Sequence, residues 1–112
     1  TRLSPQKRLA DVTGVSLADG AALRGYEIHC GVSESAAPPL VRLDDGRGDG
    51  AVSVCGRIAG CYVHGLFDHP ALRAAWLARI GAASQGGDHA ARVDAALDEL
   101  AEFLAEEFLF FL

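Results

Sequence analysis

Apolar and polar residues alternate through Ala22–Val32, ALRGYEIHCGV, and a period of two predicts a strand there. Tyr26 and Ile28 share one face of it; Glu27 and His29 share the other. Gly20 punctuates the chain just before. Residues 8–16, RLADVTGVS, hold shorter β-compatible runs. Pro38 and Pro39 break the chain, and Leu40–Leu43 is a short strand candidate. Asp44–Gly50, DDGRGDG, is built from turn formers and reads as a loop. The Arg-Gly-Asp inside it is a coincidence of three letters, because an adhesion motif needs an extracellular setting that nothing else in the sequence supports. Ala51–Cys55 and Ile58–His64, around Gly56-Arg57, predict a hairpin. Gly60 marks a place in its second strand where another backbone or a ligand approaches closely. His64 precedes Gly65 at a strand end, where α/β enzymes often seat catalytic groups.

The period then lengthens. Asp68 or His69 can cap a helix whose first turn suits Pro70. Leu72, Trp76, Leu77 and Ile80 form its apolar stripe, and Gly81 stops it. Ser84–Gly87 is a linker. From Asp88 to about Phe108, residues Val93, Leu97, Leu100, Leu104 and Phe108 recur on one helical face, with acids opposite. The final FLFFL is unusually apolar and calls for a covering surface, in this chain or another. Tyr26, Tyr62, Phe67 and Trp76 read as core; His69 and His89, at helix starts, as capping or exposed. Strands first and helices last make an α+β chain, with mostly antiparallel strands followed by two C-terminal helices.

Composition narrows the class. At 112 residues there is room for about one domain of the usual ~100–200. Half the residues are apolar and 22% charged, which is globular rather than disordered. No apolar run approaches the ~20 residues that span a bilayer, and no stretch reads as a signal peptide. A net charge of −5 argues against nucleic acid as a partner. That charge belongs to one element: residues 88–112 carry net −6 and the remainder net +1, as expected of a solvated helix face. A start at Thr1 and the absence of Met suggest a piece of a longer protein. Three cysteines, Cys30, Cys55 and Cys61, are too few and too irregularly spaced for a disulfide framework. They fit free thiols in a cytoplasmic, reducing compartment. Together with His29 and His64 they lack the paired spacing of a zinc site, so no metal is expected.

Two phrases then become specific: Gly25–Gly31, GYEIHCG, and Gly60–Pro70, GCYVHGLFDHP. With Asp49-Gly50-Ala51 between them, Trp76-Leu77 after them, and Arg92, Leu97-Asp98 and Leu100-Ala101 beyond, the series resembles the C-terminal part of the glutamine amidotransferase domain of the cobyric acid synthase family. The resemblance runs from about Arg8 to about Ala105. The related a,c-diamide synthases share a Tyr-x-His strand but not the Gly-Leu-Phe that follows His64. The resemblance implies a triad-type, class I-like amidotransferase whose parent domain is a flavodoxin-like α/β sandwich. Residues 1–83 would be the late strands and first helix of that domain. Residues 84–112 would be its closing amphipathic helix and apolar tail, packed on the same domain. The whole enzyme would use ATP and Mg²⁺ in a separate synthetase domain to amidate corrinoid carboxylates with ammonia from glutamine, in cobalamin biosynthesis. Its partners would be the upstream part of the same polypeptide, glutamine and the corrinoid. No cofactor, nucleic acid or membrane is implied for this chain.

Releasing ammonia from glutamine takes an activated nucleophile, a base and an oxyanion site. His64 matches the family's catalytic His, and an imidazole with an ordinary pKa of ~6.5 suits both the taking and the returning of a proton. The family's nucleophilic Cys lies upstream of these motifs, and none of Cys30, Cys55 and Cys61 matches it. The chain alone should therefore be inactive. Related amidotransferases often place an acid two residues after the His, where this chain has Leu66. Glu27 and His29 are the remaining candidates for orienting His64. Two other readings stand beside this one: a non-catalytic interaction or dimerisation module using the apolar C-terminus, and a thiol/imidazole metal protein.

Overall fold

The computed structural model describes residues 1–109. Strands β1 (Arg2–Ser16) and β2 (Ala22–Val32) form a long antiparallel hairpin, with Leu9 opposite Ile28, Ala10 opposite Glu27 and Val12 opposite Gly25. The ladder is irregular between Arg2 and Lys7, where Pro5 has no N–H to give it. Strands β3 (Val41–Leu43) and β4 (Gly48–Asp49) extend the sheet beyond β1. A separate two-stranded piece pairs β5 (Ala51–Val52) with β6 (Ala59–Gly60). Strand β7 (Val63–His64) returns to β2, so the main sheet runs β4-β3-β1-β2-β7 with every pairing antiparallel. A 3-10 turn, Leu66–Asp68, leads into α1 (Pro70–Arg79), and α2 spans His89–Leu109. This is the expected antiparallel sheet followed by two helices.

The pleat decides what is buried. Val12 and Ser16 of β1, Leu23 and Glu27 of β2, Val41 and Leu43 of β3 and Val63 of β7 all point to one face. Leu40, Leu66 and the fully buried Leu72 of α1 complete that core. The opposite face is open. Leu9, Val15, Tyr26 and Ile28 lie exposed on it. Alternation in the sequence separates these two faces correctly, but the apolar side of β2 is the uncovered one.

Several expectations change. β1 starts at Arg2 rather than near Arg8, and the hairpin around Gly56-Arg57 is short, because β7 leaves it for β2. Tyr26, Tyr62 and Phe67 are exposed at 43%, 44% and 49%, so none of them fills the core, and Tyr26 lies on the open face away from it. Phe67 meets the half-buried Trp76 edge-on at 5.3 Å. Ile80 is exposed beyond the end of the α1 stripe. Pro70 opens α1 as expected, with His69 in the N-cap position but making no side-chain cap; Asp68 falls in the 3-10 turn.

Helix α2 has its own cap. The Asp88 carboxylate accepts the Ala90 N–H at 2.9 Å and pairs with Arg24 at 2.8 Å. Arg73 donates to the carbonyls of Phe67, at 2.7 Å, and Gly87, tying the linker to α1. Every described residue of α2 is exposed, including the stripe from Val93 to Phe108. The chain's radius of gyration is 18.7 Å, against about 13 Å for a compact 100-residue domain. The rest of the apolar tail, residues 110–112, lies outside the described residues.

Candidate active site

His64 ends β7, and its position is set by its neighbours. In register, Tyr26 faces His64 and Glu27 faces Val63. A Cβ at position 25 would collide with the His64 carbonyl and lie 2.7 Å from Val63 Cγ1, so Gly25 is what allows β7 to come this close. Gly65 follows at φ 70°, a left-handed conformation that turns the chain sharply out of the strand. Val63 and Leu66 are buried on either side of that turn. The His64 side chain between them is exposed, on the open face of the sheet. Its ring stacks on Tyr26 with centroids 5.2 Å apart and planes 14° from parallel. No hydrogen bond reaches the imidazole among the described residues. The acid nearest the turn is Asp68, whose Oδ2 lies 3.4 Å from where a Cβ on Gly65 would stand.

Glu27 and His29 are not brought to His64. They share the opposite face of β2. Glu27 is fully buried and serves an ionic cluster of its own. Arg8 Nε donates to Oε2 at 2.6 Å, and Arg47 donates to Oε1 and Oε2 at 2.9 and 3.0 Å. The bidentate Arg47 guanidinium, with Arg8 beside it, holds the Glu27 carboxyl below the usual carboxylate range against the opposing effect of burial. Arg47 also binds Asp45 at 2.7 Å, so the DDGRGDG loop is fastened onto the sheet by its own arginine. His29 is half-buried, 5.5 Å from the Tyr62 ring, and its Nδ1 has no hydrogen-bond partner among the described residues. A groove of about 960 Å³ follows this face, lined in part by Arg8, Glu27, His29, Arg47 and Tyr62; His64 is not in it.

Sequence reasoning missed two things here. Arg8 and Arg47 were not tied to Glu27, although a carboxylate in a strand next to a core has to find a cation. The Tyr26–His64 stack was missed because it depends on the register of two strands separated by residues 33–62, a stretch that itself contains β3 to β6.

The thiols differ from one another. Cys30 and Cys55 are exposed and Cys61 is half-buried against the core. The Ser53 hydroxyl, 3.3 Å from Sγ, lowers the Cys55 pKa, whereas burial raises that of Cys61. Among the described residues no three His, Cys, Asp or Glu side chains converge to hold a metal ion. No helix among them is long and apolar enough to cross a membrane.

The family model of the CobB/CobQ-like glutamine amidotransferase domain matches residues 1–72, from β1 through the first turn of α1. The chain belongs to this family. Its similarity to curated proteins reaches past the domain match into α2. It is 53% identical over 106 residues to the cobyric acid synthase of Methylobacterium nodulans, which covers 93% of this chain and 22% of that protein. It is 50% identical over 106 residues to the cobyric acid synthase of Methylorubrum populi, with the same coverage. With that of Sphingopyxis alaskensis it shares 49% identity over 107 residues, 94% of this chain and 22% of the relative. The chain thus spans about a fifth of the length of the curated relatives it matches. No solved structure matches it.

Proposed function

We propose that this chain is the C-terminal part of the amidotransferase domain of a cobyric acid synthase-like enzyme, and that His64 is its general base. The observation that carries the reading is the seat of His64: an exposed imidazole on the open face, held at a strand end between buried Val63 and Leu66, within a family match that covers it. A Cys thiolate from the upstream part of the polypeptide attacks the glutamine side-chain amide. His64 takes the thiol proton and returns it to the departing ammonia, and water then releases glutamate from the thioester. Ammonia goes to a synthetase domain that activates corrinoid carboxylates with ATP and Mg²⁺ and converts them to amides. The parent domain is a flavodoxin-like α/β sandwich, of which residues 1–83 form the late strands and first helix and residues 84–112 the closing helix. The reported relatives are cobyric acid synthases, which favours that assignment over an a,c-diamide synthase.

Glutamate release from glutamine tests this reading. The chain alone should be silent, the polypeptide extended through its upstream segment active, and its His64→Ala variant dead. Activity in the chain alone would make one of Cys30, Cys55 and Cys61 a nucleophile and overturn the mapping. A second reading, an interaction or dimerisation module, is favoured by the exposed apolar stripe on α2. Sedimentation equilibrium decides it: dimers that dissociate in Leu97→Glu/Leu104→Glu support it, and a monomeric chain removes it.

A further inference from the structure

We infer that Tyr26 is the positioning residue for His64, an inference that rests on the proposed role of His64 as base. The geometry is specific. Tyr26 and His64 are directly opposite in the β2–β7 register, and their rings lie 14° from parallel at 5.2 Å. Facing antiparallel positions hold their side chains in van der Waals reach, which is what allows the stack. Gly65 turns the backbone away immediately after His64, so no later strand residue braces the imidazole. No hydrogen bond fixes the ring among the described residues, and Glu27, the acid expected to do so, faces the other way with Arg8 and Arg47.

A base needs its nitrogen within hydrogen-bond reach of the proton it takes, and small displacements are costly. The Tyr26 face restricts His64 to a ring plane parallel to its own. A flat aromatic surface also tolerates the imidazolium that forms when the proton arrives, because the π-face attracts a cation. Tyr26 is itself 43% exposed, so the stack and not core filling is what its ring supplies here. Leucine at this position keeps an apolar strand residue while removing the ring. Phenylalanine keeps the ring and removes the hydroxyl.

The test has two arms. In histidine-labelled 112-residue chain, the His64 ring protons should lie upfield through the Tyr26 ring current. That displacement should persist in Tyr26→Phe and vanish in Tyr26→Leu. An unchanged His64 signal in a folded Tyr26→Leu chain overturns the inference whatever the activity. In the longer polypeptide, Tyr26→Leu should lower kcat for glutamine hydrolysis about 10-fold with KM unchanged, and Tyr26→Phe should restore most of it. If His64→Ala is dead but Tyr26→Leu keeps full kcat, the positioning role fails and the base assignment stands. If His64→Ala stays active, the base assignment fails and the inference falls with it.

Discussion

The Glu27 cluster makes a quantitative prediction about which side of an ion pair matters more. The carboxylate is fully buried, whereas its two partners are not: the Arg8 and Arg47 side chains are 49% and 41% exposed. Glu27→Gln keeps the volume and still accepts one arginine donor. It gives up charge-assisted bonding, worth about 1.5–3 kcal/mol per such bond, but leaves behind guanidinium groups that water can solvate. A loss of about 2 kcal/mol is expected. Arg8→Leu/Arg47→Leu does the reverse and leaves a buried carboxylate with no cation. That one-sided loss should cost about 3–5 kcal/mol. Urea unfolding at pH 7, followed by the fluorescence of Trp76, the single tryptophan, gives both numbers from the shift in midpoint at constant slope. A Gln variant as destabilised as the double arginine variant would refute the argument from unequal exposure.

The same cluster fixes a pH dependence. The folded-state pKa of Glu27 lies below its unfolded value, chiefly through the Arg47 bond. Its contribution is therefore fully present above the unfolded value of ~4.3 and is lost as pH falls through the lowered folded value. The wild-type chain should lose stability over that acid range more steeply than Glu27→Gln. Parallel profiles for the two would remove Glu27 as the titrating group.

The remaining predictions concern the seat of His64, the core and the thiols. Gly25→Ala should push β7 off β2 at a cost of about 1–3 kcal/mol, seen as faster amide exchange in the β2–β7 ladder. Leu72→Ala, at the fully buried contact of α1 with the sheet, should cost about 2–5 kcal/mol in the same urea assay. Timed alkylation read by mass spectrometry should label Cys55 before Cys61, because a lowered pKa and full exposure favour the Cys55 thiolate.

Local chemistry made much of this fold legible. The limits of β2 follow from alternation between Gly20 and Pro38. Pro70 and Gly81 bracket α1, and a 3.6-residue period exposes α2 within a residue of its observed start. The two faces of β2 were separable too. Which of them is covered was not, because that depends on Val41, Leu43, Val63 and Leu72, which arrive from three other elements. The same non-local dependence misdirected the site. Glu27 and His29 looked like partners for a nearby histidine, since all three sit in β-rich phrases of similar form. Antiparallel register places Val63, not His64, on the Glu27 side. The place of His64 at a strand end was legible because a His-Gly pair there is a local signal.

A catalytic imidazole has conflicting needs: exposure to exchange a proton, and a fixed position to do so at the right atom. For His64, the base proposed above, this chain meets them through backbone placement. Val63 and Leu66 are buried on either side of His64, Gly25 lets the strand close, and Gly65 turns it away, so the Cα of His64 is fixed by groups that never touch its ring. With Glu27 committed to arginines on the other face, orientation of the ring falls to what stands on its own face, and that is Tyr26. Register is then the controlling variable. A one-residue slip of β7 along β2 would bring Glu27 opposite His64, bury the imidazole and expose Val63, removing both the proposed base and part of the core at once. Site geometry and fold stability are therefore coupled through a single two-residue strand.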